Sequence, residues 1–367
     1  MRSIVFGKVL GISLELHSSF VLLIVLVALA LAAFFPQNFF GSIMLLFFLF
    51  ASVFLHELTH SMVAVSKGYK VEKIILLPIG GIAVTSDLPE KPSHEFLIAV
   101  SGPLFNFFVV AVISTLAAFS IVSFPENWLG LLLSNEEAFE QALLSNPLLA
   151  LFYVNLMLGS FNLFFPALPL DGGRVLRAVI GFFTSFEMAT RIVSRLSVYL
   201  SILLFLIGFL FGNILLAIIA LFVFFGSQQE KELAEIKAVL SGTKIKEIIE
   251  KETPILEPGL SLQEVFEKML QSNKTEFLVK KDEGIGVITL TDLESTGKKN
   301  WWREKAGATA RIAPKISESE DAARAFQKII AKGYPFLPVF KGKEFVGVVR
   351  AKSLEKLYAL KRLERPS

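Results

Sequence analysis

The chain has 367 residues, 53% of them hydrophobic and 36 of them Phe, with a mean hydropathy of +0.62. That apolar excess is too large and too clustered for one soluble core, so a membrane protein is expected. The formal net charge is only +3 and the Lys and Arg are dispersed, which argues against a nucleic-acid surface. Cysteine is absent, which excludes disulfides and thiolate metal sites and leaves His and carboxylates as the strong ligands.

A bilayer core of about 30 Å needs roughly 20 apolar residues per helix. In chain order, the stretches 19–35, 41–66, 95–122, 147–166, 193–211 and 213–227 fit that length best. Only Gly212-Asn213 divides the last two, so one long tilted helix over 193–227 is the alternative. The first stretch follows Arg2 and Lys8 and is not followed by a small-residue cleavage pattern, so it reads as a retained span and not as a signal peptide. Residues 3–17 and 70–86 alternate, or run short and β-branched with Gly80-Gly81, and predict small strands on the cytoplasmic side of the helices.

Loop charge sets the expected orientation. Lys67, Lys70, Lys73 and Lys91 lie between the second and third spans, and Arg174, Arg177, Arg191 and Arg195 follow the fourth. Residues 36–40 are uncharged, and 123–146 carry Glu126, Glu136, Glu137 and Glu140 without Lys or Arg. Because cytoplasmic loops hold the excess of Lys and Arg, both termini are expected in the cytoplasm of a multi-pass cell-membrane protein.

Beyond residue 228 the composition turns soluble. Residues 229–243 read as a charged helical linker into an internal repeat, with segment 253–293 sharing its order of elements with 314–354. Its anchors are Phe277-Leu278-Val279 against Phe336-Leu337-Pro338-Val339, and Gly286-Val287-Ile288 against Gly347-Val348-Val349. A period of about 60 residues is too long for a solenoid and suggests a paired module. The expected organisation is a membrane domain over 1–228, the linker, and repeats over 244–302 and 303–367. The fold class is an α-helical polytopic membrane protein with about six spans and small cytoplasmic-side strands, plus a soluble α/β tandem module.

Chemistry concentrates in the second span. His56 and His60 stand four residues apart, which puts both imidazoles on one helix face and able to bind one Zn²⁺, with Glu57 beside the fourth coordination position. An ionisable residue at mid-membrane costs about 2.5–3.5 kcal/mol on insertion scales, so three within five residues need a compensating role, which a metal provides. The bland alternative is a polar cluster in a transporter that passes protons. A catalytic zinc takes three protein ligands. His17, His94, Asp87 and Asp171 are the candidates for the third. Asp171 follows Pro166 and Pro169, which break the end of the fourth span into an extended chain tolerated at membrane depth only where it lines a cavity or is buried in protein. By spacing alone it is equally a turn residue before Gly172-Gly173.

These motifs resemble the site-2 protease family of intramembrane zinc metalloproteases, in particular prokaryotic members with a C-terminal pair of cystathionine-β-synthase-type (CBS) domains. His56-Glu57-Leu58-Thr59-His60 is similar to the family's zinc motif, with Thr59 where Gly is common. Leu170-Asp171-Gly172-Gly173-Arg174 is similar to its second zinc motif, which implies Asp171 as the third ligand and Glu57 as the catalytic base. Ser101-Gly102-Pro103-Leu104-Phe105-Asn106 resembles a Gly-Pro-x-x-Asn element, and Pro78-Ile79-Gly80-Gly81 resembles the strand and loop beside the active site. Gly11 to Ser18 resembles an N-terminal element in which the His, here His17, is structural. The resemblance implies a substrate-holding or oxyanion-holding role for Asn106 and Asn162, although Asn162 precedes Pro166 by four residues where the family has three.

It further implies an endopeptidase that cuts single-span membrane proteins. On the topology above, it cuts in the cytoplasmic half of the substrate, which an edge strand within Ile74–Val84 could capture by β-addition; a packing hairpin is the alternative. In the CBS pair, Gly286 to Asp292 fits the ribose and phosphate motif, with Thr289 and Asp292 implied for an adenosine nucleotide. Arg350 and Ser353 at the matching places leave at most one well-formed site, and the alternative is a scaffold that pairs two copies of the chain. Trp301 and Trp302 read as packing or interface residues. The rival readings are a CBS-gated transporter or channel and a silent scaffold.

Overall fold

The computed structural model describes residues 3–9, 11–77, 80–85, 91–125, 127–251, 254–281 and 284–364, and divides into two units, Met1–Ala234 and Glu235–Ser367.

The first unit opens on β1 (Ser3–Val9) and β2 (Ile12–His17), reversed at Gly11, whose φ of +84° suits a residue without a side chain. With β3 (Val71–Leu77) and β4 (Gly80–Thr85) they form one sheet in the order β1-β2-β3-β4, in which β2 and β3 run parallel. Ile12, Leu14, Val71 and Ile74 are buried from this sheet against Ala64 and Ile98. A buried carboxylate joins its strands, since Ser3 Oγ and Lys73 Nζ both donate to Glu15 Oε2, at 2.5 and 3.0 Å.

Six apolar helices follow. α1 (Ser18–Phe34) is 17 residues long, about 26 Å at 1.5 Å per residue. The five long enough to span are α2 (Phe39–Ser66, prolonged by a short turn from Pro36), α3 (Pro92–Ala118), α6 (Pro147–Phe164), α8 (Phe186–Leu210) and α9 (Ile214–Leu240). Residues 193–227 thus form parts of two helices and not one. Gly212 at φ +64° ends α8, and Asn213 Oδ1 accepts from Leu216 N at 3.0 Å to start α9. α8 begins earlier than expected because Ser185 Oγ caps it through Met188 N, and α9 runs on through most of 229–243.

Three short helices depart from the expected loops. The acidic segment 123–146 holds α4 (Trp128–Ser134) and α5 (Glu136–Ser145), whose Phe139 and Leu143 are buried with Leu149 of α6. Beyond the two prolines, α7 (Asp171–Gly181) begins at Asp171 itself. Gly172 and Gly173 are therefore helical, and a Cβ on either would stand 2.4 or 2.3 Å from the backbone at Leu163 or Ala167. Arg177, expected as a loop charge, is buried and paired with Glu95 of α3 and Glu230 of α9.

In the second unit, β5 (Ile255–Leu256), α10 (Leu262–Ser272), β6 (Glu276–Lys281), β7 (Gly284–Thr289) and α11 (Leu290–Thr296) form the first repeat. α12 (Ala306–Thr309) and β8 (Arg311–Ile312) close its sheet, in the order β5-β6-β7-β8. The second repeat is β9 (Ile316–Ser317), α13 (Ala322–Lys332), β10 (Phe336–Lys341), β11 (Glu344–Arg350) and α14 (Ala351–Glu364). In both, a parallel pair precedes an antiparallel hairpin. Val279 faces Gly286 and Val339 faces Gly347, so Phe277 corresponds to Leu337 and not to Phe336. The burial agrees: Phe277 and Leu337 each lie in their own repeat's core, whereas Phe336 joins Leu278 in a cluster shared by both repeats.

Candidate metal centre

α2 places His56 and His60 one turn apart on its buried face, where they are 3% and 5% exposed. Asp171 reaches them from the first turn of α7, where a carboxylate suits the positive end of the helix dipole. Its Oδ2 lies 3.0 Å from His56 Nε2 and 3.1 Å from His60 Nε2, and the two Nε2 atoms are 3.1 Å apart.

The opposite ring nitrogens are held from behind. His60 Nδ1 is 2.6 Å from the carbonyl oxygen of Ile98, which can only accept, so that nitrogen carries the proton and donates. His56 Nδ1 stands 2.6 Å from Asn106 Oδ1 in the same way. In the neutral imidazoles, the form that binds a metal, both Nε2 atoms then turn lone pairs toward a carboxylate oxygen. Three such atoms within 3.1 Å of one another repel unless a cation lies among them, and two imidazoles with a carboxylate are a donor set for a divalent ion. Glycine admits the close approach of α3 to these nitrogens. A Cβ on Gly102 would come within 2.4 Å of His60 Nε2 and 2.7 Å of His56 Nε2.

The remaining third-ligand candidates separate from this cluster. His17 caps α1 through Ser19, with Nδ1 2.6 Å from Ser19 Oγ, and His94 Nδ1 meets Tyr69 OH at 3.0 Å. Asp87 lies outside the described residues, as do Pro78 and Ile79. Among the described residues, His56, His60 and Asp171 are the group able to hold a metal.

A family model of peptidase family M50 matches residues 44–207, and one of the CBS domain matches 245–295. A zinc metalloprotease of Methanocaldococcus jannaschii is 34% identical over 266 residues, 72% of this chain and 71% of its own. The chain belongs to peptidase family M50. It is a multi-pass intramembrane metallopeptidase of the site-2 protease type that also carries a CBS module. Rip3 of Mycobacterium tuberculosis, also named for zinc metalloprotease activity, is 24% identical over 386 aligned positions, 98% of this chain and 94% of its own. The solved site-2 protease of Methanocaldococcus jannaschii is 36% identical with a TM-score of 0.45, covering 63% of this chain and 95% of that one.

Around the metal cluster of this M50 peptidase, Glu57 follows His56 on α2 and is approached by β4, since a Cβ on Gly81 would stand 2.5 Å from Glu57 Cγ. Asn106 stands behind His56. It is fully buried, with Oδ1 on His56 and Nδ2 on Asn155 Oδ1, so both ends of its carboxamide are in use. Asn162, half-buried near the end of α6, has no hydrogen-bond partner among the described residues. Asn155 and the contacts of Gly102 carry no motif of their own in the sequence, although a polar carboxamide amid the apolar residues of the fourth span is itself a signal.

In the CBS module both Thr289 and Asp292 serve α11 as its N-terminal cap, with Thr289 N and Oγ1 donating to Asp292 Oδ2 at 2.9 and 2.7 Å. Arg311 Nε holds the other Asp292 oxygen at 3.0 Å. Arg350 and Ser353, at the matching places of the second repeat, both bond to Glu250. Trp301 is buried against Phe266 and donates to Leu293 O, while Trp302 is 64% exposed.

Proposed function

We propose that this M50 peptidase is a zinc-dependent endopeptidase for transmembrane segments of other membrane proteins, acting in regulated intramembrane proteolysis. His56, His60 and Asp171 hold the ion, and Glu57 is the general base. The observation that carries this is the meeting of three potential ligand atoms from α7 and from α2, the helix where Glu57 directly follows His56. A bound Zn²⁺ lowers the pKa of water to about 7 and polarises a peptide carbonyl. Glu57 then accepts the water proton at its carboxylate and returns it to the leaving amine nitrogen.

A transmembrane helix has its backbone bonded internally, so its scissile peptide must be unwound before attack. β4 lies at the end of the sheet order and its Gly81 approaches Glu57, which supports strand addition of the unwound segment along β4, with Asn162 a donor to substrate backbone or oxyanion. The loop charges support cytoplasmic termini and cleavage in the cytoplasmic half of a single-span substrate. Residues 1–228 are the proteolytic domain and 229–243 the linker. Residues 244–302 and 303–367 form a regulatory CBS pair that senses an adenosine nucleotide through Thr289 and Asp292 or pairs two copies of the chain.

The test is Glu57→Gln in the full chain, purified with its metal. Unchanged zinc with cleavage of a membrane-embedded reporter lost is expected, and cleavage that survived would sink the assignment. Asp171→Ala is expected to lose the zinc itself; equal zinc in both proteins would remove Asp171 from the ligand set.

A further inference from the structure

Of the two metal-facing histidines, His60 has its ring oriented by main chain. The carbonyl of Ile98 meets its Nδ1 directly. His56 has no such anchor, and its Nδ1 meets the side chain of Asn106, which could turn over. We infer that Asn155 on α6, whose side-chain hydrogen bonds go to Asn106, Ser52 and Leu151, is a positioning residue that fixes Asn106 and through it the tautomer of His56.

Hydrogen-bond direction leaves one assignment. Leu151 O lies 2.8 Å from one end of the Asn155 carboxamide, and a carbonyl oxygen can only accept, so that end is the NH₂. The same NH₂ donates to Ser52 Oγ at 2.9 Å. The Asn155 oxygen is then the end that meets Asn106, at 2.8 Å, and must receive its NH₂. Asn106 is thereby left with its oxygen facing His56 Nδ1 at 2.6 Å, so Nδ1 holds the proton and Nε2 presents the lone pair. The polarity of one helix carbonyl on α6 is relayed through two carboxamides to a ligand nitrogen on α2. Ser52, Asn106 and Asn155 are 3%, 0% and 1% exposed, so no solvent competes for the relay. If Asn155 is removed, Asn106 loses the acceptor that fixes it. Turned over, Asn106 donates to Nδ1, the proton moves to Nε2, and His56 can no longer serve as a ligand.

The inference rests on the zinc reading, and the experiment separates the two. Zinc affinity of the full chain is measured by competition with a chromophoric chelator. Wild type that bound no zinc would overturn the proposed function itself. With zinc bound by wild type, Asn155→Leu is expected to weaken affinity about 10–100-fold, the range for residues that orient a ligand. Asn155→Ala, which adds no volume, is the second variant should the first not fold. The rescue is Asn106→Asp, because a carboxylate only accepts and holds the Nδ1 proton whichever way it turns. In that background Asn155→Leu and Asn155→Ala are expected to lose no further affinity. Unchanged affinity in the single variants, or an equal loss in the Asn106→Asp background, would overturn the relay and leave Asn155 a packing residue.

Discussion

A Cβ built on Gly102 would stand 2.4 Å from His60 Nε2 and 2.7 Å from His56 Nε2. No side chain tolerates contacts that short, so Gly102→Ala must push the buried His56 and His60 rings from the positions that Asn106 and Ile98 hold them in. The expected outcome is a protein that loses its zinc by metal analysis and melts below wild type. Gly81 presents the opposite case. The three atoms nearest its substituent all belong to Glu57, with Cγ at 2.5 Å, so Gly81→Ala is expected to retain zinc and lose kcat. Both glycines stand in motifs readable in the sequence, but their reasons are contacts with residues far along the chain. Spacing on α2 placed His56 and His60 together, whereas what lies against them depends on α3, α7 and β4.

The elements are tied by buried ions. Arg177 on α7 donates through Nε to Glu95 Oε1 on α3 at 2.8 Å and through Nη1 to Glu230 Oε2 on α9 at 2.7 Å. Removing one member leaves uncompensated buried charge, at about 3–5 kcal/mol. Arg177→Met is therefore expected to lower the melting temperature and, by loosening the helix that carries Asp171, to reduce bound zinc. The sheet has its own titrating link. Burial raises the Glu15 pKa, but the hydrogen bonds from Ser3 and Lys73 outweigh it and hold the pKa below its ordinary 4.5. A depressed carboxylate contributes stability that is present above the unfolded value and lost as pH falls through the folded one. Hydrogen exchange of β1 and β2 is accordingly expected to accelerate below about pH 4.5 in wild type and to lose that dependence in Glu15→Gln. Loop charge alone could not distinguish Arg177 from Arg195, because burial is a property of packing.

For the whole molecule the testable property is orientation. The chain has no cysteine, so single cysteines can be introduced without a background. A cysteine at Lys70 is expected to react with an impermeant thiol reagent only from the cytoplasmic side, and one at Glu137 only from the opposite side. The reverse pattern would invert the assigned topology.

Composition and period by themselves determined that this is a membrane protein with a soluble paired module, since both follow from local solvent preference and repetition. The five-residue motif on α2 pointed to metal chemistry, because helical periodicity alone brings residues four apart onto one face. Tertiary structure decided the rest. Asp171 lies 115 residues from His56 and entered the site as the first residue of a helix that its prolines and glycines gave no sign of. Tertiary structure also placed Asn106 behind His56, bonded to Asn155. Contacts between distant helices have no period to betray them, and the direction of a hydrogen bond exists only once both partners are in place.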